Sequence, residues 1–149
     1  MTKKNSTKKP FDQELFDNND VQARLAVQEY IGTAGLFVQD NPDKYGPDLI
    51  VYKGFKPAYY AEVEIKRVWK SNQDVFPWAT VQLPSRKLKF TQLGVPVEFF
   101  ILREDLKMAI VIPDHIVENS PQEEVKNKYV PEGEMFIKID VSECGVVEL

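Results

Sequence analysis

From Ala61 to Lys66 the chain alternates apolar and charged residues, Ala61, Val63 and Ile65 against Glu62, Glu64 and Lys66. Successive side chains of a β-strand point to opposite faces, so this stretch reads as a strand, predicted over residues 59–68, with one face suited to a core. The other face then carries two acids and a lysine side by side. A second strand is predicted over residues 48–52, joined to the first by the loop Lys53-Gly54-Phe55-Lys56-Pro57. In an antiparallel hairpin the start of one strand lies beside the end of the next, which places Asp48 near Glu64 and Lys66. Carboxylates converging at a strand end are the hard oxygen donors that Mg²⁺ takes. A neighbouring lysine can orient or deprotonate a water and offset phosphate charge. An ordinary hairpin with solvated charges on its outer face is the alternative.

The remaining elements frame this hairpin. Asn18, Asn19 and Asp20 are suitable N-caps, and Ala23, Ala26, Val27 and Tyr30 form one helical face before Gly32 and Gly35. A short strand is predicted at residues 36–39. Residues 69–84 read as irregular, with Pro77 and Pro84. A helix is predicted over residues 86–93, capped by Ser85 and ended by Gly94. Strands at 97–102, 108–112 and 134–140 follow, with a helical turn from Pro113 to Asn119. The order predicts a mixed α/β sheet with helices against it. Residues 1–10 read as a disordered basic arm and residues 11–149 as one domain, since a chain of 149 residues holds one compact core and is too short for two.

Composition removes several chemistries. One Cys leaves no disulfide framework and no cysteine-based zinc site, and one His argues against histidine-ligated metals and serine-protease triads. No apolar run is long enough to span a bilayer, and the lysine-rich start has no apolar signal segment. These features predict a soluble protein in a reducing, cytoplasmic location. The formal charge of −4 conceals a partition. Residues 53–90 carry eight bases and three acids, whereas residues 11–52 and 98–149 are strongly acidic. The basic window contains Glu64 and Lys66, and such asymmetry points to an anionic partner. Within it, Arg86, Lys87 and Lys89 are expected to project outward from their helix as phosphate contacts, with Gln82 close by. Trp69, Phe76 and Trp78 read either as core anchors or as platforms for unpaired bases. Cys144 reads as a small buried residue rather than a nucleophile.

The pattern Pro47-Asp48 followed by Glu64-Ile65-Lys66 resembles the PD-(D/E)xK nuclease superfamily. The resemblance extends over roughly residues 20–102, through the order helix, three-strand meander, helix, strand. It implies a restriction-endonuclease-like mixed sheet flanked by helices, here with extra C-terminal β elements. It also implies Asp48 and Glu64 as metal ligands for Mg²⁺ or Mn²⁺ and Lys66 as the catalytic lysine. In many members an acid on the first helix completes the site, and Glu29 is the candidate. The implied activity is metal-dependent endonucleolytic hydrolysis of DNA, of a structure-directed kind such as junction resolution or phage recombination. DNA is the expected partner, and a homodimer is expected where two strands are cut. The other reading is a nuclease fold retained as a DNA- or protein-binding assembly module, with the acidic C-terminal segment as its contact surface.

Overall fold

The computed structural model describes residues 13–126, 128 and 131–149, with side chains from residue 19 onward. The expected basic arm lies outside them. The first helix, α1 (Gln13–Gly32), is longer than predicted. It passes straight through the expected caps, so Asp20 sits inside the helix and pairs with Arg24 one turn on. Ala23, Val27 and Ile31, spaced by four, are its buried stripe. Gly35, at φ 81°, lets the chain turn back after it.

Six strands make the main sheet, β1 (Phe37–Asp40), β2 (Leu49–Lys53), β3 (Lys56–Lys66), β5 (Val97–Arg103), β6 (Met108–Pro113) and β9 (Gly145–Glu148), in the order β1-β2-β3-β5-β6-β9. All neighbours are antiparallel except β3 and β5, which run parallel from Tyr60↔Val97 to Lys66↔Arg103. A parallel pair requires a crossover. Residues 67–96 supply it, and they carry β4 (Thr80–Pro84) and a 3₁₀ helix, Ser85–Gln92. A second sheet, β4-β8-β7, is completed by β8 (Glu134–Asp140) and β7 (Gln122–Val125). A short helix, α2 (Asp114–Asn119), follows β6.

The main sheet is covered on both faces. Ala23, Val27 and Ile31 of α1 pack on Leu49, Val51, Ala61, Val63, Phe100 and Leu102. On the other face Phe99, Ile101, Ile110 and Ile112 meet Val81 and Leu83 of β4, Ile137 and Ile139 of β8, Phe90 and Trp69. Adjacent Tyr59 and Tyr60 each join a different core, as strand alternation requires. The even positions of β3 therefore face the second layer. Among the described residues no helix is long and apolar enough to cross a membrane.

Three strands add to those the sequence predicts, β4, β7 and β9. β4 lies in the stretch read as irregular, although buried Val81 and Leu83 alternate with half-buried Thr80, Gln82 and Pro84. The charged edge strand β7 and the short β9 offer little apolar periodicity, and their pairing to β8 and β6 defines them.

Candidate active site

β2 and β3 pair in the register Leu49↔Ala61, so Asp48, one residue before β2, stands beside Glu62 rather than Glu64. Its backbone N–H donates to Glu62 Oε1 at 3.1 Å, and its Oδ2 accepts from the Val63 N–H at 2.9 Å. Glu64, two residues on, shares the face of Glu62. Lys66 Nζ lies 2.7 Å from Glu64 Oε2. Lys87 Nζ bridges the two glutamates, at 3.1 Å from Glu62 Oε2 and 3.0 Å from Glu64 Oε1. Asp48, Glu62, Glu64 and Lys87 line one cleft of about 440 Å³, together with Asp20 and Asn19 of α1 and with Arg86, and Lys66 joins it through its ion pair with Glu64.

The structure thus brings together the expected Asp48, Glu64 and Lys66, and adds Glu62, Lys87 and Asp20. Two expectations are corrected. Glu29 is exposed and does not line the cleft. It lies nine residues along α1 from Asp20, roughly 13 Å at the helical rise, and Asp20 is the helix acid at the site. Lys87 points inward instead of toward solvent. The segment Ser85–Gln92 is 3₁₀ rather than α-helical, so side chains three apart eclipse. Lys87 is therefore carried on the same side as buried Phe90, while Arg86 and Lys89 share the exposed side. Those two border a smaller cleft of about 290 Å³ with Lys44, and this cleft also reaches Asp48, Glu62 and Lys87. Gln82 lies beyond Lys66, in a separate cleft.

Burial raises the Asp48 carboxyl above its ordinary range, and the Val63 N–H only partly offsets it. Burial and then the Asp48 charge push Glu62 up to about 7. Glu64 is also buried, but Lys87 and Lys66 outweigh that cost and hold its pKa below the ordinary value. Burial opposes the Lys87 charge, yet Glu64 and Glu62 raise its pKa. Glu62 therefore takes up a proton in the folded protein at a pH where the unfolded chain does not. Stability should rise as pH falls through about 7 toward 4.5, the interval between its folded and ordinary values. Melting temperatures from pH 8 to pH 5 should show this rise, and Glu62→Gln should flatten it. An unchanged slope in the variant would assign the rise elsewhere. Outside the site, burial and then Glu143 push the Cys144 thiol up to about 11, so it is protonated at neutral pH.

Among the described residues no three His, Cys, Asp or Glu side chains already surround one point as a cation would need. Asp48, Glu62 and Glu64 nevertheless open on one cleft and offer the carboxylate oxygens that suit Mg²⁺ or Mn²⁺. Burial and then the Asp48 charge raise the Glu62 pKa, a repulsion that a cation between the two carboxylates would relieve, so the donor set fits a divalent ion.

No family model and no curated protein matches this chain. Among solved structures it is similar to Hjc, a Holliday junction resolvase from the archaeal hyperthermophile Archaeoglobus fulgidus. The match has a TM-score of 0.50 and 12% sequence identity, and covers 82% of this chain and 84% of the resolvase. At that identity the likeness is one of fold: a mixed α/β sheet flanked by helices, in the restriction-endonuclease-like arrangement, with additional β elements at the C-terminal end.

Proposed function

We propose that this chain is a metal-dependent endonuclease that hydrolyses DNA phosphodiester bonds at branched structures. The observation that carries the reading is the convergence of Asp48, Glu62 and Glu64 with Lys66 and Lys87 at the ends of β2 and β3. The fold shared with a junction resolvase and the basic window support it. Asp48 and Glu64, with Glu62 beside them, would hold Mg²⁺ or Mn²⁺. Such an ion polarises a phosphoryl oxygen and lowers the pKa of a water. Lys66 reaches the site from the strand end, where its ammonium would orient the attacking water and meet developing negative charge. Lys87 ties Glu62 to Glu64 and, with Lys66, keeps Glu64 ionised in a buried setting. Arg86, Lys89 and Lys44 border the smaller cleft and would track the phosphate backbone. Two copies would be needed to cut both strands of a junction symmetrically. The test is incubation with branched and linear DNA with and without Mg²⁺. Cleavage of branched DNA that requires the metal supports the proposal, and the absence of any cleavage overturns it.

One observation favours the other reading, a nuclease fold used for binding alone: Lys87 and Lys66 already neutralise the glutamates. Metal affinity separates the two. A cation that binds only the folded state stabilises it by about 2.7 kcal/mol at a hundredfold excess over its dissociation constant. A nuclease site should show a rise of several degrees in melting temperature with millimolar Mn²⁺, and Asp48→Asn should abolish that rise. An assembly module should show no rise in either protein.

A further inference from the structure

Beyond Lys66 lies a second cleft, of about 480 Å³, lined by Lys66, Val68, Phe76, Trp78, Thr80, Gln82 and Lys138. Its floor is the outward face of β4 and β8, where Gln82 stands opposite Lys138. Val81 and Leu83 turn to the core, so strand alternation obliges Thr80 and Gln82 to face the cleft. One wall is Trp78, 58% exposed. Its ring is not loose: it packs edge-on against Phe76 at 5.9 Å, and Phe76 packs edge-on against fully buried Trp69 at 5.7 Å. Trp69 is in turn anchored by its indole N–H to Gln73 O at 2.9 Å, and Arg103 donates to the same carbonyl at 3.0 Å.

A rigid indole face left open to solvent, two lysines, a hydroxyl and an amide form one wall-and-floor arrangement with no carboxylate among the lining residues. Among the described residues the Lys138 ammonium is ion-paired with exposed Glu123, at 3.2 Å. The far wall, Lys66, is ion-paired to Glu64, so this cleft adjoins the carboxylate site. We infer that the Trp78 cleft is a subsite for one unpaired nucleobase next to the scissile phosphate, with the base stacked on Trp78, its edge met by Gln82 and Thr80, and the flanking phosphate met by Lys138. Paired bases are stacked on both faces and have none to offer the indole, so the subsite selects DNA in which a base is free at the branch. The inference rests on the nuclease reading and supplies its substrate class.

Fluorescence anisotropy tests it, with Asp48→Asn in every protein so that strands stay intact. The parent, Trp78→Ala and Trp78→Phe are each titrated in Mg²⁺ with a branched DNA bearing an unpaired arm and with a fully paired duplex. Loss of stacking should weaken branched-DNA binding by about tenfold or more in Trp78→Ala, with duplex affinity changed by less than about twofold. Trp78→Phe should recover most of the loss, and the branched DNA should quench indole emission only where Trp78 is present. Equal branched-DNA affinity in parent and Trp78→Ala, or an equal loss on branch and duplex, overturns the subsite and leaves the nuclease reading standing. If neither the parent nor the chain with Asp48 intact binds either DNA, the nuclease reading fails and the subsite with it.

Discussion

Asp48→Asn is expected to reduce DNA cleavage at least about a hundredfold while the fold is kept, because it removes charge without removing shape. The asparagine carbonyl oxygen still accepts the Val63 N–H, and the backbone N–H of residue 48 still reaches Glu62. Only the negative charge is lost, and with it the repulsion that helps lift Glu62 toward 7. The melting temperature at pH 8 should therefore hold or rise while activity disappears, a combination that a merely structural Asp48 would not produce. Lys66→Ala should show the same loss of cleavage. Among the described residues its ammonium is ion-paired with Glu64 alone, and both side chains are about one-fifth exposed, so the cost in stability should be small. Full activity in either variant on branched and linear DNA would remove the site from these residues.

Lys87→Met should have the largest effect on stability. Lys87 is the only cation within ion-pair distance of Glu62 among the described residues, and it also binds Glu64. Methionine keeps the length of the stem but strips the charge, leaving two carboxylates in a buried setting. Breaking a buried ion pair from one side costs about 3–5 kcal/mol, and partial exposure of Glu64 lowers the expectation here to about 2–4 kcal/mol at pH 8. The deficit should shrink with acid. The raised Lys87 pKa means that its own contribution is fully present below the ordinary lysine value of 10.5 and constant across pH 5–9. The pH dependence then belongs to Glu62, whose protonation below about 7 removes the unpaired charge. Urea unfolding at pH 8 and pH 5.5 measures both. A deficit that is equal at the two values would mean that Lys87 acts through packing.

Much of the site could be read from the strand alternation alone. Period two in Ala61–Lys66 fixes which residues share a face, and that face is where Glu62, Glu64 and Lys66 stand. The partner of Asp48 was harder. Alternation sets the faces of each strand but not the register between strands, which depends on the turn at Gly54 and a bulge between Val51 and Tyr52. Alternation puts Glu62 and Glu64 on one face alike, and only the register singles out Glu62 as the neighbour of Asp48. Lys87 needed a distinction that composition hides, since the same residues on a 3.6-residue period would turn it outward and a three-residue period stacks it above Phe90. Asp20 reads as a cap because good cap residues precede an apolar stripe, whereas the helix runs back to Gln13 and Asp20 pairs with Arg24 within it. β7 and β9 are edge strands defined by their pairing, β7 to its neighbour β8 and β9 to the distant β6, and their own short sequences carry little apolar alternation.

The central claim is that the carboxylates at the ends of β2 and β3 form a divalent-metal centre. Crystals equilibrated with millimolar Mn²⁺ and measured at the manganese absorption edge test it directly. The account predicts an anomalous peak in the cleft, coordinated by Asp48 and Glu64 and within reach of Lys66. A cleft with no peak, in which Lys87 still joins Glu62 to Glu64, would contradict it.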